Sequence, residues 1–495
     1  MGSFRKVAEY LYKLPNEEYG VAQPVSGAIN YIIDSYFAKL AQLNPPIEPG
    51  PVPPHDPSSD VKEKWLGCEI HKCFVVHQEF PRFSRSLNAH AFAMLFSPYG
   101  GEMANYQIVP FIDSYEWKTL IKGSYEWKLH QEGMQISPSE SVILPVYGNF
   151  FIVDKSSGKR LIVSMDLCYE TMGCKFCISV SPPDKNVAEK FISDLCASRT
   201  ANDIYFQQSL SFEKGALDFC PVTDTKWSDI IISSDIKEAI SLNTVSLLSK
   251  SEVLNKIGLT PSRNVLLISP PGMAKTTIFR AISNESKGHN TVIWCTGKSI
   301  QQAEDVTSLF EAARALAPCV VMIEDMDLFG RDRSSGSYES SHHVLNEFLA
   351  CLDGTVENAG VVVMASTNDV ASMDEALVNR PGRFDVKLEM PLPNESDRLK
   401  MMGVFCKRYN AKCAGPDIES TIKNMIGLTD GMTGAYIKDL IKTAVIRAVS
   451  NDQINEDGHV IISPDDLLAS VHQILKNFEI GKRAKKHQQS VDSGI

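Results

Sequence analysis

The sequence predicts an α/β fold in its second half, with a parallel five-stranded sheet and a helical lid, preceded by a strand-rich α+β domain. From Thr225 onward, apolar runs of strand length alternate with helical patterns, which is typical of a parallel sheet covered on both faces. Beyond Pro393 the patterns are helical only. Between Asp60 and Ser211, short apolar runs are separated by Gly, Pro, Asn and Ser, which favours strands joined by turns.

Five apolar runs supply the strands of the predicted parallel sheet. These runs are 265–268, 292–295, 320–323, 361–365 and 386–390, with helical patterns at 306–316 and 344–352. Residues 219–393 are predicted to form this large subdomain, and residues 394–480 the lid. Within the lid, Thr433 and Ser463-Pro464 are start signals for helices. The polar, basic residues 481–495 are predicted to be a disordered tail.

The first half is divided into three predicted segments. Residues 1–43 have apolar positions at helical spacing, residues 44–59 are too proline-rich for a helix or an interior strand, and residues 60–211 form the α+β domain. Strand-like runs lie at 73–76, 91–96, 141–146, 150–153, 161–165 and 176–180, and a helix is expected near 185–197. The pentapeptide Ser-Tyr-Glu-Trp-Lys occurs at 114–118 and 124–128; a hairpin and a helix pair explain it equally well.

Composition sets limits on the class of protein. The 495 residues are 43% hydrophobic and 22% charged, which is ordinary for a multidomain globular chain. No run approaches the roughly 18 apolar residues of a membrane helix and no signal peptide is apparent, so a cytoplasmic protein without a membrane span is expected. The 12 scattered cysteines favour reduced thiols, and the net charge of −11 makes a nucleic-acid partner unlikely.

A phosphate-binding loop is predicted between the first strand of the sheet and the helix after it. The segment Ser269-Pro-Pro-Gly-Met-Ala-Lys275-Thr276 has the strand and helix context of such a loop, in which backbone N–H groups bind phosphate, Lys275 contacts the β and γ phosphates and Thr276 binds Mg²⁺. Ser269 and Ala274 stand where the usual pattern has glycine. An ordinary Pro/Gly turn before a helix is the alternative.

Polar side chains follow three later strands of the predicted sheet. Glu324 and Asp325 end the third run, where a pair of acids can hold a Mg²⁺ shell and activate water, although a solvated strand-end pair is also common. Asn368 follows the fourth run. Arg380 and Arg383 flank a Pro-Gly turn and are suited to reach a triphosphate, also across a subunit boundary.

From Thr225 to Phe478 the chain resembles the AAA ATPase family, the AAA clade of the AAA+ superfamily. The matching segments, in the family's order, are 227–230, 265–272, 315–327, 344–349, 352–354, 366–368, 380–385 and 431–435. The resemblance implies ATP and Mg²⁺ as cofactors and a homo-oligomeric, hexameric ring. It also implies that arginines from one protomer close the ATP site of its neighbour.

The residue roles implied by the resemblance complete the predicted site. Arg380 and Arg383 match arginine fingers, and Asn368 matches the sensor that orients the attacking water. Asp229 and Ile230 match a segment that lines the adenine. The predicted catalytic residues are Glu324, Asp325, Asn368, Arg380 and Arg383; the predicted nucleotide-binding residues are Asp229, Ile230, Pro271, Gly272, Met273, Ala274, Lys275, Thr276, Thr277, Gly434 and Ala435; and the predicted metal ligands are Thr276 and Glu324.

Two departures from the family pattern modify this expectation. Glu324 precedes Asp325, whereas the usual order is Asp then Glu. The base is then the shorter side chain of Asp325, which suggests slow hydrolysis. The segment 297–310 is short and has no aromatic residue between Trp294 and Phe310, where polypeptide-threading relatives have one that grips substrate; Ile300 is the one large apolar candidate. Both features are similar to the branch of the mitochondrial complex III assembly ATPase, so threading is not expected. The absence of a His-Glu-x-x-His sequence disfavours a membrane-bound zinc protease.

Two further groups of residues have a functional and a structural explanation. Cys68, His71, Cys73 and His77, together with Cys168, Cys174 and Cys177, could be zinc ligands, but buried thiols and histidines are the commoner explanation. The aromatic residues of the repeated pentapeptide could stack on a ligand or could simply be half-buried in a sheet.

The leading hypothesis for function is an ATP-hydrolysing, chaperone-like remodelling motor whose domain 60–211 selects a protein client. The alternative is an ATP-gated scaffold with little turnover. A nucleic-acid translocase is disfavoured by the acidic balance.

Overall fold

A computed structural model describes residues 62–63, 65–96, 105–108, 130–167, 173–328, 338–353, 357–370, 373 and 382–492. The helical segment 1–43, the linker 44–59 and both copies of the pentapeptide lie outside the described residues. The chain divides into two compact units, Met1–Ile204 and Tyr205–Ile495.

The first unit is an antiparallel sheet with two helices. Its elements are β1 (Phe74–Phe80), α1 (Arg85–Met94), β2 (Tyr106–Ile108), β3 (His130–Ser137), β4 (Glu140–Asp154), β5 (Arg160–Leu167), β6 (Cys174–Val180) and α2 (Lys185–Ala201). The strand order is β1-β6-β5-β4-β2, and β3 also pairs with β4. In β6 the residues alternate between buried and half-buried, because successive side chains point to opposite faces of a sheet.

The core of the first unit forms where α1 and α2 meet the sheet. Phe92 of α1 is fully buried, and its ring lies 4.8–6.3 Å from four other phenylalanine rings, measured between centroids. The strand expected at 91–96 is wrong, since 91–94 continue α1. An apolar run of this length fits either element, and the helix formers Leu87, Ala89 and Ala91 extend the helical pattern that begins upstream.

The second unit begins with a seven-stranded sheet. Its strands are β7 (Ser209–Glu213), β8 (Ala216–Phe219), β9 (Arg263–Ile268), β10 (Thr291–Thr296), β11 (Cys319–Glu324), β12 (Val361–Thr367) and β13 (Val386–Glu389). The order is β13-β9-β12-β11-β10-β7-β8, and all neighbours except β7 and β8 are parallel. Every residue of β12 is buried, as expected for a strand with covered faces.

The five strands predicted for the parallel sheet are confirmed as neighbours, and two strands join them at one edge. The predicted domain 60–211 therefore ends too late, because β7 already pairs with β10 and the first unit ends at Ile204. The helices of this part are α3 (Ser234–Asn243), α4 (Val245–Ser249), α5 (Ser251–Lys256), α6 (Lys275–Ser286), α7 (Ala303–Ala315) and α8 (Tyr338–Leu352).

The lid contains four helices and one short parallel strand pair. Its elements are α9 (Glu395–Arg408), β14 (Ala411–Cys413), α10 (Ile418–Leu428), α11 (Gly434–Ser450), β15 (Val460–Ile462) and α12 (Pro464–Asp492). The expected helix starts after Thr433 and Ser463 are confirmed. The disordered tail is wrong as far as Asp492, because α12 continues through it; Lys, Arg, Ala and Gln are good helix formers despite their polarity.

In the part of the chain that the structure describes, no helix combines the length and the apolar content needed to cross a bilayer.

Candidate active site

The central strands bring three predicted site segments to one edge of the sheet. β12 lies between β9 and β11, and all three are parallel, so their carboxyl ends meet. The loop 269–274 follows β9, Asp325 follows β11 and Asn368 follows β12. Ligands of open parallel sheets bind at this edge.

The loop 269–274 has the backbone of an anion-binding turn. Gly272 and Ala274 have φ values of +84° and +65°, and α6 begins directly afterwards at Lys275. The N–H groups in the first turn of a helix have no acceptor within that helix, and the dipole adds partial positive charge there. Met273 is buried in the core below the sheet edge, whereas Pro271 is exposed and Thr277 half-buried.

The ammonium group of Lys275 lies within hydrogen-bonding distance of four acceptor atoms of the protein. Its Nζ donates to the backbone oxygen of Ser269 at 2.8 Å, to Ser269 Oγ at 3.1 Å, to the backbone oxygen of Pro270 at 3.3 Å and to Asn368 Oδ1 at 2.7 Å. Burial lowers the pKa of this amine, while the nearby acids Asp325 and Asp327 oppose that shift.

Asn368 connects the lysine with the second acid of the pair. Its Nδ2 donates to Asp325 Oδ1 at 3.1 Å, so one amide group bridges Lys275 and Asp325. Asp327 Oδ1 accepts from the backbone N–H of Asn368 and from Thr367 Oγ1, both at 3.3 Å. Asp325 itself has a left-handed φ of +51°.

Thr276 and Glu324 form an oxygen pair beside this chain of hydrogen bonds. Thr276 Oγ1 donates to Glu324 Oε2 at 3.1 Å. Glu324 Oε1 is buried and has no hydrogen-bond partner among the described residues. Burial raises the pKa of this carboxyl group, and the hydroxyl of Thr276 opposes the shift. A hydroxyl and a carboxylate with an unused oxygen fit Mg²⁺, which prefers hard oxygen ligands.

The start of α11 in the lid lies directly on the phosphate loop. The N–H of Ala435 donates to the backbone oxygen of Gly272 at 3.0 Å. A Cβ at Gly272 would lie 2.7 Å from Ala435 Cβ and 2.8 Å from Thr433 Oγ1, so only glycine fits. Thr433 is buried, and its Oγ1 has no hydrogen-bond partner in the described part of the chain. Gly434 lies between the two contacting residues.

The pair Asp229-Ile230 is not joined to this network by a hydrogen bond that the structure shows. Asp229 is exposed and accepts from the backbone N–H of Lys226 at 3.0 Å. Ile230 is buried in the same apolar cluster as Met273 and Ile278.

Arg383 forms a two-bond ion pair with Asp353. Its side chain is 4% exposed and donates to Asp353 from Nε at 3.0 Å and from Nη2 at 3.1 Å. Such a two-bond pair fixes a guanidinium group firmly. Arg380 lies outside the described residues.

The candidate gripping residue Ile300 is 1% exposed, so its side chain belongs to the core. The expectation that it could serve as the large apolar contact of a pore loop is therefore wrong for this chain as it stands.

Four residues of the site were not predicted to have a role in it, although Ser269 lies in the predicted phosphate loop and Thr433 at a predicted helix start. Asp327 and Thr367 support Asn368, Ser269 contacts Lys275, and Thr433 faces Gly272. Asp327 belonged to an acidic stretch after a buried strand, which was a usable signal. The hydroxyl groups of the other three give no pattern that separates them from ordinary loop residues.

The zinc hypotheses gain no support. Among the described residues, no group of three or more His, Cys, Asp and Glu side chains could hold a metal ion. Cys68 and Cys73 contact each other with sulfurs 3.2 Å apart, and burial is the main cause that raises the pKa of Cys73 to about 12. Cys168 lies outside the described residues.

Comparisons with known proteins match the same region. Residues 265–392 match the family described as "ATPase family associated with various cellular activities (AAA)". The chain is 30% identical over 258 residues to an ATP-dependent zinc metalloprotease YME1 homolog of Schistosoma mansoni, covering 50% of this chain and 38% of that protein. It is 31% identical over 250 residues to a proteasome-activating nucleotidase of Thermococcus onnurineus, covering 49% and 58%. The chain thus spans well under two thirds of these relatives.

Proposed function

We propose, from the match of residues 265–392 to the AAA ATPase family, that this chain is an ATP-hydrolysing motor that remodels a protein client. One observation carries the proposal. A continuous chain of hydrogen bonds runs from Lys275 through Asn368 to Asp325, with Thr276 and Glu324 paired beside it. The groups that phosphoryl transfer requires are therefore next to one another.

The roles of these groups follow from their chemistry. The first-turn N–H groups of α6 and Lys275 would bind the phosphates, and Thr276 with Glu324 would hold Mg²⁺, which would supply positive charge against the developing negative charge. Asp325 accepts the proton of the attacking water, and Asn368 orients both the acid and the water. The hydrogen bond from the Asn368 amide fixes the carboxylate of Asp325, which therefore needs little reorganisation. Asp325 is thus still a competent base, although its side chain is shorter than that of Glu.

The active form in this proposal is a homo-oligomeric ring, because members of the AAA family typically form hexamers. Arg380 and Arg383 are proposed to serve the neighbouring site. For Arg383 this requires release from Asp353, so the Arg383–Asp353 pair would separate when the ring engages ATP.

The proposed client is a protein, since the relatives include ATP-dependent proteases and proteasome-activating nucleotidases. The first unit is proposed to select it. Threading of an unfolded chain is not part of the proposal, because the loop 297–302 buries its one large apolar residue, Ile300. The narrower resemblance to the mitochondrial assembly branch stays a prediction.

The direct test is phosphate release with ATP and Mg²⁺, measured at protein concentrations where a ring forms. Lys275→Ala and Asp325→Asn are each expected to lower turnover about 100-fold or more, since each removes a group used in the transition state. Lys442→Ala and Asp439→Asn, at exposed positions of α11, are the matched controls and should retain full turnover.

The alternative function is an ATP-gated scaffold, which is favoured by the contact between the lid and the phosphate loop. In that case the wild type binds ATP and changes its assembly state, while its phosphate release equals that of Lys275→Ala. This result would contradict the motor.

A further inference from the structure

Ser269 stands where the usual phosphate-binding loop has glycine, and its side chain contacts the predicted phosphate-binding residue Lys275. Its side chain is 2% exposed, and its Oγ accepts from Lys275 Nζ at 3.1 Å. The same hydroxyl donates to the backbone oxygen of Pro270 at 3.3 Å, which turns its lone pairs toward the ammonium group. A glycine at this position could not make either contact.

The ammonium group of Lys275 has no spare hydrogen. It carries three N–H donors, and the three nearest acceptors are Asn368 Oδ1 at 2.7 Å, the backbone oxygen of Ser269 at 2.8 Å and Ser269 Oγ at 3.1 Å. The backbone oxygen of Pro270, at 3.3 Å, is the most distant of the four contacts, so removal of the Ser269 hydroxyl leaves one hydrogen without a close acceptor. Lys275 is also 9% exposed, so these acceptors, rather than water, satisfy it. A phosphate oxygen that binds this lysine must therefore displace one of them.

The acceptors differ in how easily they can be displaced. The backbone oxygens of Ser269 and Pro270 are fixed by the loop, and the N–H of Ser269 is held by the backbone oxygen of Thr367 at 3.2 Å. Asn368 also bonds Asp325 and is needed there. Ser269 Oγ is the one acceptor of the four that a glycine loop would lack.

We propose that Ser269 is a positioning residue. Its hydroxyl holds the Lys275 ammonium group in a hydrogen bond within the protein and so lowers the affinity for a nucleoside triphosphate. This inference rests on the proposed function, because it assigns Lys275 to the β and γ phosphates. The competition concerns only those phosphates. The hydroxyl therefore lowers the affinity for ATP most, lowers the affinity for ADP less and leaves the affinity for AMP unchanged.

The test is equilibrium dialysis of radiolabelled ATP, ADP and AMP with the full-length protein and Mg²⁺. Ser269→Ala keeps the Cβ and removes only the hydroxyl, and it should tighten ATP binding about three- to tenfold, the worth of one hydrogen bond. AMP affinity should be unchanged. Ser269→Gly, which restores the usual residue, should show the same order of effect.

Two controls separate this role from a structural one. Ser283→Ala removes another buried serine hydroxyl, whose Oγ lies 3.2 Å from Ser209 Oγ on the far part of α6, and should not change ATP affinity. In a Lys275→Ala background, Ser269→Ala should have no effect, because the hydroxyl acts through the lysine.

The measured affinities distinguish a failure of the inference from a failure of the proposed function. If the wild type binds ATP but Ser269→Ala binds it equally or less tightly, the inference is overturned and the proposed function stands. A gain that persists without Lys275, or that appears equally for AMP, also overturns it. If neither the wild type nor any variant binds ATP, the proposed function is wrong and the inference falls with it.

Discussion

Ala274 is expected to be a strained residue whose replacement by glycine stabilises the second unit. Its φ of +65° and ψ of +23° place it in the left-handed region, immediately before α6. This conformation costs an L-residue about 1–2 kcal/mol, and glycine adopts it freely. Ala274 is exposed, so its methyl group contributes little packing that the substitution would lose.

The expected size of the effect is a difference of two terms. Relief of the left-handed conformation contributes about 1–2 kcal/mol, whereas the greater freedom of glycine in the unfolded chain costs about 0.4–1 kcal/mol. The net gain for Ala274→Gly is therefore about 1 kcal/mol in the free energy of unfolding of the second unit.

The assay is urea unfolding of the full chain. Unfolding is monitored by hydrogen exchange in peptides that cover β9, so that the second unit is observed separately. Ala350→Gly is the matched control, since Ala350 is exposed within α8 and should lose about 1 kcal/mol on the same change. If Ala274→Gly also destabilises the unit by this amount, the strain at Ala274 is refuted.

Three further predictions concern single side chains. Arg383→Ala should lower the free energy of unfolding of the second unit by about 2 kcal/mol, less than for a fully buried pair because Asp353 is 34% exposed; urea unfolding with the β9 readout checks this. Phe92→Ala should cost the first unit about 3–5 kcal/mol, measured by hydrogen exchange in peptides of α2, because it opens a cavity among packed rings. Thr276→Ala should raise the Mg²⁺ concentration for half-maximal phosphate release at least about tenfold, and an unchanged Mg²⁺ titration would contradict its assignment as a ligand.

The parallel sheet could be predicted because its central strands are buried on both faces and therefore stand out as continuous apolar runs. Every residue of β12 is buried, for example. The hairpin formed by β7 and β8 could not be assigned to this sheet, since its alternating pattern fits any half-buried strand and pairing with β10 is a tertiary choice. The same limit applies to 91–94, where helix and strand share one apolar pattern.

The grouping of the site was predictable because parallel strands place their carboxyl ends at one edge. Lys275, Asn368 and Asp325 meet there. The partners of individual side chains were not predictable, because hydroxyl groups and carboxylates find their contacts through loop geometry. The hydrogen bond of Ser269 to Lys275 and the pair of Arg383 with Asp353 are of this kind.

The central claim, that this chain hydrolyses the ATP it binds, is tested most directly by a single turnover. Protein in excess is mixed with γ-labelled ATP and Mg²⁺, and the bound nucleotide is identified over time. The account predicts that the wild type converts bound ATP to ADP and phosphate, while Asp325→Asn binds ATP and holds it intact. If the wild type also holds its ATP intact, the chain is a nucleotide-gated switch and the motor is contradicted.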